Sequence, residues 1–372
     1  MAVGDAIPGA SGTGTALDPY IPTNIASFIS AVGTAGAYVC LLQDIDVSHD
    51  AVYKTGITSH VAINCTYLYG TAKTFDMSVT YNRNDVCTFN DGENGLHTYT
   101  CQADGVVGID VSDTTYWTPG GDPTKKITGL IVTSQYFIKA PGSGMTGTIN
   151  VSNIFFESCV FYKTSSSTSL FGESNTGHNP TFSDCIFSFL YIQHLYSPAI
   201  TDMSSSNSDM YFNRCSFYIK YCHDPIDGLY GTGSAGLSNL LSSKTHATNC
   251  TFDLENFCTY LSSSTTTYNI SGANMSMCSF RITTSVIKAA SASTSGIFRI
   301  NGTTSCFYAI SIIGGSDPIP WYISFSNLSG VNIVDSEVAG LATVNSATNL
   351  TTGTTAQCKD KDWLISQGFL TS

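Results

Sequence analysis

The chain has 372 residues and a formal net charge of −12, with 15 Lys+Arg against 27 Asp+Glu. Cations this few, scattered in no cluster, leave nothing to neutralise a phosphate backbone and argue against nucleic acid or anionic membranes as partners. Charged residues make up only 11% and aromatics 12%; Ser, Thr and Asn supply the polarity, and these suit strands and turns better than helices, so the expected class is all-β.

The 13 cysteines are odd in number, and no cationic segment followed by an apolar core opens the sequence. Together these features predict cytoplasmic synthesis and reduced structural thiols in place of a disulfide framework. No Cys-x-x-Cys pair and no Cys/His group with zinc spacing exists, so neither metal nor cofactor is expected. No stretch of 18 apolar residues suggests a membrane span.

Along the chain, residues 1–36 read as an N-terminal arm and a capping helix. The first 20 residues are Gly/Ala/Thr-rich and aperiodic. Thr23 then stands where a helix cap belongs, Ile25, Phe28, Ile29 and Val32 fall at helical spacing, and Gly33 stops the run. Such a helix is a candidate lid over the first exposed strand edges. Tyr38–Leu42, Ile45–Val47 and Val61–Ile63 read as the first strands. Between Cys65 and Ile127 turn signals crowd in, Asn90-Asp91-Gly92-Glu93-Asn94-Gly95 and Thr118-Pro119-Gly120-Gly121-Asp122-Pro123, marking either irregular turns of the fold or an inserted excursion.

From Ile131 a frame returns: an apolar residue, two positions, a cysteine, one position, an aromatic. It reads Phe156-Glu157-Ser158-Cys159-Val160-Phe161, Phe182-Ser183-Asp184-Cys185-Ile186-Phe187 and Phe212-Asn213-Arg214-Cys215-Ser216-Phe217. Weaker copies centre on Cys250 and Cys278, and Cys306-Phe307-Tyr308 keeps the last half. The cysteines recur roughly every 26 to 35 residues, the period of a stacked array. Cys and the aromatic two positions on share one face of a strand, whereas the apolar residue three before has the wrong parity, so a turn separates two strands in every copy. Strand, tight turn, strand once per repeat predicts a parallel β-helix over residues 37–340, a solenoid with one column of Cys159, Cys185, Cys215, Cys250, Cys278 and Cys306 beside another of Phe161, Phe187, Phe217, Phe252, Phe280 and Tyr308. Asp184 and Arg214 would be neighbours on its outside. Residues 341–372 read as a C-terminal tail that turns helical once, with Trp363, Leu364 and Phe369 apolar and Gly368 at the C-cap position.

Chemistry is sparse. Asp253 and Glu255 flank Leu254 and would point outward together, the arrangement a glycoside hydrolase needs for acid and base; a solvated strand face gives the same pattern. Asp44 and Asp46 repeat it around Ile45, and Asp224 and Asp227 with His223 lie at a turn where Asp serves backbone bonding. The arginines Arg83, Arg214, Arg281 and Arg299 are dispersed, and no phosphate loop, nucleophile elbow or metalloprotease motif is present. No catalytic, cofactor or metal residue is therefore assigned.

The opening Gly12-Thr13-Gly14-Thr15-Ala16-Leu17-Asp18-Pro19-Tyr20 with Asp44-Ile45-Asp46, the aromatic-x-x-Cys-x-Phe repeats and the ending Asp362-Trp363-Leu364-Ile365-Ser366-Gln367-Gly368-Phe369 resemble the right-handed parallel β-helix virion proteins of tailed bacteriophages. That resemblance implies a head fibre, decoration protein, tail fibre or tailspike, a homotrimer in contact with capsid or tail proteins and in some members with a host surface glycan. A depolymerising tailspike using Asp253 and Glu255 is the alternative it leaves open.

Overall fold

The structure, a computed structural model, describes residues 1–46, 63–90, 96–129, 131–132, 148–163, 169–172, 179–193, 199–202, 209–223, 241, 244–255, 268–271, 274–276, 278–283, 298–301, 307–310, 323–326, 332–335, 350–354, 356–357 and 360–367. The fold is mostly strand, with a helix at Ile25–Val32 and a shorter one at Lys361–Ser366. Asn24, not Thr23, caps the first helix: its side chain accepts from the Ser27 N–H while Ser27 Oγ accepts from the Asn24 N–H. Thr23 instead donates to the Gly9 carbonyl. A polar atom one residue later meets the free N–H groups of the first turn, and that geometry decides between two adjacent candidates.

Two parallel sheets carry the core. The first runs, in sheet order, through Asn274–Ser276, Thr245–Thr248, Met210–Asn213, Thr181–Ser183, Asn150–Ser152, Tyr67–Gly70 and Tyr38–Leu41. The second runs through Phe307–Ile310, Ser279–Thr283, Thr251–Glu255, Ser216–His223, Ile186–Gln193, Ile154–Lys163, Lys125–Thr128 and Ile45–Asp46. Sheet order is chain order in both, so each strand pairs with its counterpart one repeat away. Shorter parallel pairings follow the second sheet, Ser169–Gly172 with Ala199–Asp202, then Tyr268–Ser271, Phe298–Asn301 and Ile323–Ser326.

The corner between the two sheets explains the recurring frame. Asn153, Asp184, Arg214 and Asn249 all have φ between 52° and 55°, the left-handed region that turns a strand sharply. Each of the first three donates its N–H to a carbonyl of the next repeat, those of Ser183, Asn213 and Thr248. The following cysteine points inward. Cys185 Sγ donates to Val151 O and Ser183 O, Cys215 to Phe182 O and Asn213 O, Cys250 to Phe212 O and Thr248 O, all at 3.3–3.5 Å. Cysteine is small enough for this slot and adds a weak donor to carbonyls of the corner, three of which already accept a backbone N–H. Cys278 continues the column with its bond to Ala247 O. Cys40, Cys65, Cys87, Cys101, Cys159, Cys185, Cys215, Cys250 and Cys278 are all buried and in no disulfide.

Inside, Phe156, Phe187, Phe217 and Phe252 stack with centroids 5.3, 4.9 and 4.6 Å apart, and Phe182 over Phe212 forms a second stack that meets the first edge-on. The register carries the first column on through Phe280 and Tyr308. One expected copy is displaced. Phe187 pairs with Phe156, not Phe161, and Cys159 pairs with Phe189, so Ile154 occupies the slot Cys185 takes and Phe161 stands beside Tyr191. Phe156-Glu157-Ser158-Cys159 is nevertheless a genuine corner: Ser158 has φ 52°, Glu157 O accepts from the Gly129 N–H, and Cys159 Sγ reaches Ile127 O. It stacks on Ile127-Thr128-Gly129 instead, one edge further round. Cys306 lies outside the described residues.

Residues 71–124 are an inserted excursion. Gly70 stands beside Asn153 and Lys125 beside Ile154, so the two ends of the excursion abut at positions that are consecutive in the next repeat. A Cβ on Gly70 would lie 2.3 Å from Asn153 O and 2.9 Å from Lys125 N, which is why glycine holds this junction. The excursion is a four-stranded sheet, Lys73–Thr74, Val86–Asn90, Leu96–Cys101 and Trp117–Pro119, over its own core of Tyr81, Cys87, Cys101, Val106, Val111 and Trp117.

The N-terminal residues are bound to their own chain. Ala10–Ser11 pairs with Ile21–Pro22, Tyr20 is fully buried, and the first strand's edge is occupied by Gly14 and Tyr20 through Tyr38 N–Gly14 O, Tyr20 N–Tyr38 O and Cys40 N–Tyr20 O. A free parallel edge recruits other chains; here residues 14–20 cover it. At the other end Asp360 caps the short helix by accepting from the Trp363 N–H; Gly368 and Phe369 lie outside the described residues.

Candidate functional site on the outer faces

With rings and thiols turned inward, strand alternation delivers every second residue to the surface, and functional groups must be sought there. On the second sheet Phe252 is buried while Asp253 faces out, as its parity requires. Asp253 stands in register between Tyr218 and Arg281, and Glu255 between Lys220 and Thr283. Each carboxylate residue therefore has a cationic residue as a neighbour one strand away, the pattern of an alternating-charge face. Lys220 and Tyr218 are exposed. His223 pairs with Gln193 at the end of its strand; Asp224 and Asp227 lie outside the described residues.

Asp44 and Asp46 do not act as a pair. Asp44 Oδ1 accepts from the backbone N–H of Lys126 at 2.8 Å, which ties the first repeat to the second, while Asp46 stands beside Thr128. Lys126 in turn reaches Glu157 Oε1 at 2.9 Å, lies over the Phe155 ring at 5.4 Å, and has its pKa raised chiefly by the Glu157 hydrogen bond. Thr128 Oγ1 completes the group by donating to Glu157 Oε2. At the corner, Arg214 makes a two-pronged bond to Asp184, both contacts 2.7 Å, and this bond raises the arginine's pKa. The pair is well exposed and contributes at most about 1 kcal/mol.

Nothing in the sequence marked the outer face of the first sheet. Tyr211 stacks on His246 with centroids 4.6 Å apart, and His246 Nε2 lies 3.5 Å from Asp209 Oδ1, whose own N–H is held by Asn179. Nearer the N-terminus Tyr67 packs against Tyr38 and Tyr69 and shares a hydrogen bond with Ser152, while burial pushes the Tyr69 hydroxyl up to about 12 and raises Cys40 beside it. The available signal was positional: Thr181, Tyr211 and His246 each stand one residue before the frame's apolar position and line up in adjacent strands. The face presents hydroxyls and one imidazole along a regular ladder, a set suited to hydrogen bonding with a polar partner.

Within the wall, burial raises the Cys215 pKa well above that of a free thiol and holds the Cys215–Cys250 pair protonated. Among the described residues no group of three or more His, Cys, Asp or Glu converges as a metal site, and no helix is long and apolar enough to cross a membrane. No protein-family model matches the chain, and neither a curated protein nor a solved structure matches it.

Proposed function

We propose that the chain is a structural protein of a tailed-bacteriophage particle, a head fibre, decoration protein or tail appendage, built as a right-handed parallel β-helix whose two long sheets are neighbouring faces of one solenoid. The observation that carries the architecture is the unbroken register Phe187–Phe217–Phe252–Phe280–Tyr308 beside the Cys185–Cys215–Cys250–Cys278 column. A wall of this kind is rigid along its axis because every repeat is bonded to the next, which suits a fibre or cementing element. The phage assignment is supported by the likeness of the Gly12–Tyr20 opening, the cysteine frame and the Asp362–Phe369 ending to such proteins. The assembled form is a homotrimer seated on capsid or tail proteins, and the ladder of hydroxyls on the first sheet offers a host glycan a surface to bind.

The test is compositional. Particles of the virus that encodes the chain, purified on a density gradient, should contain it at a fixed ratio to the major capsid protein by quantitative mass spectrometry; its absence from intact particles would end the proposal. A hydrolytic tailspike is the second reading, because Asp253 and Glu255 share a face two residues apart, about 7 Å along the strand and inside the separation glycoside hydrolysis uses. Release of oligosaccharide from host capsule by the purified chain, lost in Asp253→Asn, would establish that reading over the first.

A further inference from the structure

We draw no further inference here: the strongest candidate, the outer face of the first sheet, where Tyr67 packs against Tyr38 and Tyr69 and Tyr211 stacks on His246, belongs to the surface already described for a host glycan, and nothing in the structure shows what covers it.

Discussion

Replacing Phe217 by Ala removes the middle of the aromatic column. The ring is fully buried, stacks on Phe187 at 4.9 Å and on Phe252 at 4.6 Å, and meets Phe212 edge-on at 5.1 Å. Deleting a buried Phe costs about 3 to 5 kcal/mol through lost transfer energy and the cavity left behind. The upper half of that range applies, since two stacked contacts go at once and each ring pair adds about 0.5 to 1.5 kcal/mol beyond area. Tyr218, the next residue, is 47% exposed, and Tyr218→Ala should cost no more than about 0.5 kcal/mol. Equilibrium urea unfolding of both variants, followed by far-UV dichroism and tyrosine fluorescence to test for a single transition, gives the comparison. A double-mutant cycle with Phe252→Ala should return a coupling of about 0.5 to 1.5 kcal/mol. If Phe217→Ala loses less than about 1.5 kcal/mol, or if the two neighbours cost the same, the parity that turns Phe217 inward is wrong and the column with it.

Other perturbations probe other parts. Burial pushes the Cys65 thiol from 9.0 up to about 12, so the folded state stays protonated where the unfolded chain ionises; stability should be level below about pH 9 and fall by roughly 1.4 kcal/mol per pH unit from there toward pH 12, and Cys65→Ala should flatten that decline. Arg214 holds φ 54°, so Arg214→Asn should match or exceed wild-type stability despite losing an exposed ion pair, whereas Arg214→Val should lose about 2 kcal/mol; equal behaviour of the two in thermal melts would refute the left-handed corner. Deleting residues 1–20 strips Gly14 and Tyr20 from the Tyr38–Leu41 edge and should yield elongating aggregates in light scattering, while an unchanged particle size would mean another segment covers that edge.

How far the sequence disclosed this arrangement depends on whether a position admits one residue type or many. The cysteine slot is narrow and backed by carbonyls, so its occupant recurs and three consecutive repeats, at Cys185, Cys215 and Cys250, were legible to the residue. The same recurrence misled at Phe156-Glu157-Ser158-Cys159, because a corner of this kind needs only a left-handed residue followed by an inward-facing one, and the chain builds it at two edges. Ile154 fills the aligned slot without a thiol, and no pattern drawn on cysteine finds it. The corner residue varies as Asn, Asp, Arg and Asn because its side chain points to water and only its φ is constrained. Outer columns are freer still: Thr181, Tyr211 and His246 share a place and differ in residue type, so the Tyr211–His246 stack appears only when the strands are in register. The excursion announced itself as crowded turns, yet its core pairs Tyr81 with Trp117 across intervening loops, and a long-range contact of that sort leaves no period to read. What a repeat imposes at its corner is therefore visible in one dimension, while its surface, where any partner must bind, is fixed by register.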